Sequence, residues 1–422
     1  MIWRIVWERG YTLILWLALP LVLARLYLRG RREPGYRHHI AERFGRYRSR
    51  PRKPIIWVHA VSVGETRAAQ PLVKLLGERH PECEILITQM TASGRDTAER
   101  LYGGEATLAY LPYDYPFAVK RFLAHFRPRL GVLMETEVWF NLVRGCARFG
   151  VPLVLANARL SEKSARGYET VAPIARAAFG RLSAVAAQTN ADAQRLTRLG
   201  ARAAEVTGNI KFDVAQPPQA LALVARLRQC YGTRQVFLAA STREGEEALL
   251  LDALAKQPLG AALLLIVPRH PQRFAEVARL LEQRGIAFVR RSDEARVPAA
   301  CGVMLGDSLG EMAAYYASCD VALIGGSLLP YGAQNLIEAC AAGVPALIGP
   351  STYNFAHAAS EAVKSGAACA VANASEAVTE AKRLLADKAA RKAMSAAGLA
   401  FCEAHRGASV RVAAICDRLL AR

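Results

Sequence analysis

Two doubly wound α/β domains, each a parallel sheet with helices on both faces, are what this sequence predicts, and three observations carry that reading. The chain has 422 residues, more than one hydrophobic core usually supports. Short apolar runs alternate with helix-length segments along most of it, the pattern of parallel strands joined by crossover helices. The alternation breaks once, near Asn209–Pro218, where a Pro-Pro pair follows Lys-Phe-Asp.

The first series of expected strands is Ile55–Val61, Glu84–Met90, Leu130–Met134, Pro152–Ala156 and Ser183–Gln188. The second is Val236–Ala240, Ala262–Val267, Gly302–Leu305, Val321–Ile324, Pro345–Ile348 and Ala367–Val371. The unbroken apolar character of Leu263–Val267 suits a strand buried on both faces. Helices are expected over Thr66–Arg79, Glu244–Gln257, Pro271–Arg284 and Asn335–Ala342, and the alanine-rich tail from Ala374 to Arg422 reads as wholly helical. Ligands in such sheets lie beyond the carboxyl ends of the strands. The residues after each strand are therefore where chemistry is sought, with a cleft expected between the domains.

The N-terminus belongs to neither domain. Gly10 to Ala24 carries no charge, and allowing Arg25 extends the apolar run to Leu28. Ten Lys/Arg follow from Arg29 to Lys53, opposed only by Glu33 and Glu42. A cleaved leader ends in small residues and precedes a translocated chain. An arginine-dense run is instead retained on the cytoplasmic side. The segment is expected to be an anchor over residues 1–30, either spanning the bilayer or lying in its interface with Arg25 reaching toward headgroups. A buried N-terminal helix of a soluble domain is the plain alternative.

The formal charge of +19 invites a nucleic-acid reading, but residues 1–53 hold 13 Lys/Arg against 3 Asp/Glu. That segment alone supplies +10, leaving +9 over the other 369 residues. A basic face throughout the folded part, as nucleic acid needs, is not expected. Nine cysteines are scattered, without any C-x-x-C pair, and fit small core residues of a reducing compartment. No G-x-G-x-x-G, no P-loop and no Asp-x-Asp pair occurs, so dinucleotide, P-loop and metal-clamped diphosphate chemistry lose their main sequence support. No metal and no cofactor is expected.

Several strand-to-helix junctions carry small and polar residues. Ser241–Glu247 and Gly306–Glu311 each follow a strand and open a helix, Gly325-Gly326-Ser327 ends another strand, and Asn335-Leu336-Ile337-Glu338 starts the next helix. Free N–H groups at helix starts make anion sites, although each junction also reads as cap and turn chemistry. Several in one half of the chain favour a nucleotide. Pro268-Arg269-His270 closes a strand where an arginine can meet phosphate or carboxylate. In the first half, His59–Glu65 runs from a strand into a helix and Met134–Trp139 places Glu135 and Glu137 at a strand end. Glu65 is either a carboxylate matched to a helix dipole or a general base for an alcohol.

These strings, with Arg31–Tyr36, Gly208–Asp213 and the stretch from Gly325 through Phe355, resemble in their order along the chain the lipid A Kdo transferases of Gram-negative bacteria. The resemblance implies a GT-B fold: two Rossmann-like domains facing a cleft, the acceptor domain over 31–210 and the CMP-sugar domain over 211–422 with its helical tail. It implies inverting transfer of Kdo, an acidic eight-carbon sugar, from CMP-Kdo to the glucosamine disaccharide of a lipid A precursor. The expected location is the inner membrane, with the catalytic domains on the cytoplasmic side against an anionic surface. By this likeness Glu65 is the catalytic base. Ser241, Arg243, Arg269, Gly310, Asn335 and Glu338 hold CMP-Kdo, and Glu135 and Lys211 line the cleft. Ala333, Leu336 and Cys340 depart from the family pattern, which more often has Gly, Pro and Pro there; Pro271-Gln272 replaces an acidic residue after Pro-Arg-His. The runner-up is another GT-B transferase or an epimerase using a UDP-sugar.

Overall fold

A computed structural model describes residues 2–48, 51–215 and 218–421. The chain divides into two compact units, one of residues up to Val214 together with Arg406 onward, the other running from Ala215 to His405.

The first unit holds seven strands: β1 (Ile55–His59), β2 (Glu84–Gln89), β3 (Thr107–Tyr110), β4 (Pro128–Met134), β5 (Leu153–Ala158), β6 (Ala184–Ala187) and β7 (Ala204–Val206). Their order is β3-β2-β1-β4-β5-β6-β7, every pairing parallel. The side-chain alternation explains why whole strands read as apolar. Ile55, Trp57, Leu133 and Leu155 join the core on one face, while Ile56, Val58, Val132 and Val154 join the core on the other.

The second unit repeats the scheme with β8 (Val236–Thr242), β9 (Leu263–Pro268), β10 (Phe288–Arg290), β11 (Val303–Leu305), β12 (Val321–Ile324), β13 (Ala346–Ile348) and β14 (Ala368–Ala370). The order is β10-β11-β9-β8-β12-β13-β14, again all parallel. In each unit the winding reverses beside the first strand, between β1 and β4 and between β8 and β12. Those are the switch points at which a doubly wound sheet opens a ligand crevice.

All eleven expected strands are present. Three more, β3, β7 and β10, lie at sheet edges. An edge strand pairs on one side only and needs no continuous apolar run. The expected helix Thr66–Arg79 is two helices, Val63–Ala68 and Gln70–Arg79. Pro71, in the first turn of the second, lacks the N–H that would continue the first.

One domain assignment needs correction. The tail was expected to belong wholly to the CMP-sugar domain, 211–422. It forms three helices, Ala374–Ala386, Lys388–Ala404 and Ala408–Leu420, and the last joins the first unit. Ala408, Val412, Ala413, Ile415 and Cys416 complete the core that covers Ile56 and Val58. Asp417 binds Arg79 at 2.6 Å and His80 at 2.9 Å. Asp213 caps this helix, accepting from Gly407 N–H at 2.6 Å and Ser409 N–H at 2.5 Å.

The N-terminal helix covers Ile2–Arg32, and its Arg9–Arg31 stretch, with mean hydropathy 1.8, is long and apolar enough to cross a membrane by length and composition.

Candidate active site

At the switch point of the first unit, β1 and β4 deliver two acidic loops. Ser62 caps the helix Val63–Ala68 and Glu65 is its third residue, the arrangement of a capping box. Glu65 Oε2 accepts from Val61 N–H at 2.8 Å and Oε1 from Ser62 Oγ–H at 3.0 Å. These bonds and the helix dipole favour the charged carboxylate. Burial opposes them, helped by the nearby charge of Glu135 and, more weakly, Glu137, and burial wins: the carboxyl is pushed up to about 7. A group poised there is ionised enough to accept a proton at neutral pH and basic enough to keep it.

Glu135 follows β4 with φ +59, in the left-handed region. Its carboxylate is met by Lys211 Nζ at 2.7 Å. Glu137 accepts from Trp139 Nε1–H at 2.8 Å, and burial raises its pKa, with the Glu135 charge adding to the shift. The expected residues Glu65, Glu135 and Lys211 thus form one neighbourhood. Sequence reasoning missed what holds Lys211. Asn157, fully buried with φ +54, accepts from Ile210 N–H at 3.1 Å and pins the turn Ile210–Asp213. His59, which opens the first motif, is fully buried, its ring bonded to Thr88 and held to about 4 by burial, so it stays neutral.

At the switch point of the second unit, Ser241, one residue before the end of β8, has φ +55. Gly325 packs against its carbonyl so closely that a Cβ there would sit 2.4 Å from Ser241 O. Arg243 Nη1 donates to His270 Nε2 at 3.0 Å, and its guanidinium lies over the Tyr331 ring at 4.7 Å. Arg269 Nε donates to Gln334 Oε1 at 3.1 Å. The His270 pKa is lowered by burial and then by Arg269, Arg243 and Arg273, which leaves a neutral imidazole as an acceptor that orients Arg243. Asn335 caps the helix Leu336–Ala341, accepting from Ile337 N–H at 3.3 Å and donating Nδ2–H to Glu338 Oε1 at 2.9 Å. Gly310, φ +84, sits after β11, one strand beyond β9, in a loop where Glu311 binds Arg291 at 3.1 Å.

The group that ties these loops together is Glu246. Only 2% exposed, it accepts from Gly326 N–H at 2.6 Å, Arg243 N–H at 2.8 Å and Leu328 N–H at 3.0 Å. One carboxylate thereby locks the loop after β8 to the loop after β12. Glu247 beside it grips Arg273 at 2.6 and 3.0 Å and Thr242 Oγ at 2.6 Å. The string Ser241–Glu247 was visible in the sequence, but these partners, some eighty residues downstream in the case of Glu246, were not.

Over residues 38–214 the sequence matches a family model described as 3-deoxy-D-manno-octulosonic-acid transferase (kdotransferase), and over 287–400 one for group 1 glycosyl transferases. It is 46% identical to the 3-deoxy-D-manno-octulosonic acid transferase of Bordetella pertussis, across 95% of this chain and 96% of that one. The chain belongs to the Kdo transferase family. The Haemophilus influenzae enzyme of the same name is 36% identical across 96% of this chain and 97% of its own length. Among solved structures, UDP-GlcNAc 2-epimerase from Neisseria meningitidis overlays with a TM-score of 0.59 at 15% identity, covering 85% of this chain and 98% of that one. That likeness is one of fold, GT-B. Membership of the Kdo transferases, not the fold, separates a Kdo donor from the UDP-sugar reading. Ala333, one of the expected departures from the family pattern, adopts φ +62, the conformation that makes glycine the easier residue.

Proposed function

We propose that this Kdo transferase moves Kdo from CMP-Kdo to a hydroxyl of the glucosamine disaccharide of a lipid A precursor, with inversion, at the cytoplasmic face of the inner membrane. The observation that carries the reading is Glu65: a half-buried carboxylate at a switch point, raised to about 7, with the acidic loop of β4 beside it. In the transfer, the acceptor hydroxyl gives its proton to Glu65 as its oxygen bonds to the anomeric carbon. The bond from that carbon to the phosphate oxygen breaks and CMP departs. Lys211, paired with Glu135, holds a positive charge in the same neighbourhood and suits an acceptor that carries phosphate.

On the donor side, Arg243 and Arg269 supply guanidinium donors for one phosphate and one sugar carboxylate, a demand that two arginines meet by bidentate hydrogen bonding. Ser241 and the close-packed Gly325 shape the backbone around it, and Gly310, exposed, takes a left-handed turn. Glu338, exposed and steadied by Asn335, offers carboxylate oxygens to the ribose hydroxyls. The apolar helix followed by arginines supports a membrane location on the cytoplasmic side. The direct test is incubation with CMP-Kdo and a tetra-acylated lipid A precursor. Product masses should rise by whole Kdo residues as CMP is released; no mass gain with CMP-Kdo, or an equal gain with UDP-sugars, would overturn the reading.

A further inference from the structure

The N-terminal helix does not hang free of the first unit. Along residues 11–30 its less exposed positions are Tyr11, Thr12, Leu15, Ala18, Leu19, Val22, Leu26 and Gly30. At 100° per residue these fall on one arc of about 120°, running the whole length. Near its start, Tyr11 Oη–H donates to Asp114 Oδ2 at 2.9 Å and Tyr115 Oη–H to Leu15 O at 2.9 Å. Trp16 stacks on Phe117 with ring centres 5.5 Å apart. Near its end, Leu26 packs with Tyr36 and Ala92, and the Arg29 guanidinium lies over Tyr36 at 5.0 Å.

The opposite face is apolar and uncovered. Leu13, Ile14, Leu17, Leu21 and Leu28 are 59–73% exposed, with Trp16 and Tyr27 at their side. Arg31 and Arg37 stand over Tyr27 at 5.2 and 4.9 Å, beside this stripe. From residue 11 to residue 30 the helix is about 28 Å long, close to the thickness of a bilayer's hydrocarbon core. A helix that crossed the bilayer would therefore draw the surface docked along it into hydrocarbon. That surface carries Asp114 at one end and, at the other, the buried Arg43 and the Glu42–Arg95 pair. Charged groups are too costly there.

Resting on the reading that this helix meets the membrane, we propose that it lies in the plane of the interface. Its exposed leucines enter the acyl boundary, its docked face stays on the folded unit, and its arginines meet anionic headgroups. Both ends of the helix then stay on the side of the bilayer where the folded unit lies.

The full chain with a protease-cleavable epitope ahead of Met1 tests this in intact spheroplasts and inverted inner-membrane vesicles. The tag should be cut only in inverted vesicles. Leu17→Glu with Leu21→Glu, both at positions more than 70% exposed and so harmless to folding, should lower pelleting with phosphatidylethanolamine–phosphatidylglycerol vesicles by about tenfold or more. A tag cut only in spheroplasts would mean that the helix spans, ending the proposal while leaving the membrane reading intact. Undiminished pelleting of the double variant, with or without dispersal of an oligomer, would also overturn it. A tagged parent chain wholly in the soluble fraction would sink the membrane reading itself, and the proposal with it.

Discussion

Glu65 shows how far two opposed effects can be weighed from one residue. Its place in a first helical turn lowers a carboxyl, its burial beside Glu135 raises it, and the net result of about 7 makes protonation state a control on rate. Below that value the base is occupied by its own proton, so kcat/KM should fall about tenfold per pH unit on the acid side and level off above. Glu65→Gln should lose about 10²–10⁴-fold in turnover and the acid limb together, with CMP binding by calorimetry unchanged. Near-native turnover would move the base to Glu135 or Glu137. Ala333 poses a different balance. Left-handed backbone costs an L-residue about 1–2 kcal/mol. Removing its buried methyl and freeing the unfolded chain cost glycine roughly as much. Ala333→Gly should therefore shift the urea-derived stability by less than about 1 kcal/mol. Ala333→Val, β-branched and overpacked at a site 1% exposed, should cost about 2–4 kcal/mol.

The loops after β8, β9 and β12 act as one element because Glu246 bonds two of them and Arg243 bonds His270 on the third. Glu246→Ala strands a buried N–H of Gly326 and two partly buried ones, so it should destabilise the chain by about 1–3 kcal/mol per unpaired donor. CMP-Kdo KM should rise in the same variant; an unchanged KM would free the loops from any role in donor binding. Arg243→Ala should cost about 10–100-fold in CMP-Kdo affinity, from the 1.5–3 kcal/mol of a charged hydrogen bond. Arg243→Lys should restore only part, since an ammonium cannot bond bidentately. Unaltered kinetics in both would leave Arg243 as a partner of His270 and Tyr331 with no part in donor binding. How much of this was readable beforehand follows from range. Central strands such as Leu263–Pro268 announce themselves because both faces are buried, whereas Phe288–Arg290 at an edge does not. Ser241, Arg243 and Arg269 could be placed from the strand ends they follow. The grip of Glu246 on Gly326 and of Asn157 on Ile210 could not, because each partner lies on another strand's loop and no local pattern marks it.

For the whole molecule, the N-terminal helix is bound into the first unit at both its ends. Deleting residues 1–30 would expose Tyr36 and Ala92, take Tyr11 from Asp114 and strip the cover from Tyr115. The truncated chain should stay in solution more readily but melt several degrees lower, by about 4 °C or more for each 2 kcal/mol lost in a unit of this size. An unchanged melting temperature would show the helix to be a detachable tether. At the other terminus, the home of the helix Ala408–Leu420 was hidden because an alanine-rich stripe fits either sheet, and long-range contacts such as those of Asp213 and Asp417 tell which it joins. That helix has a consequence for synthesis. The ribosome makes Ile56, Val58 and Leu72 long before Ala408–Leu420, the helix that covers their face. Until that helix emerges, the nascent first unit presents an open apolar sheet face, a surface for chaperones and a hazard for aggregation. A message cut short after His405 would release a chain in which the Ala215–His405 unit is whole and its elder neighbour never closes.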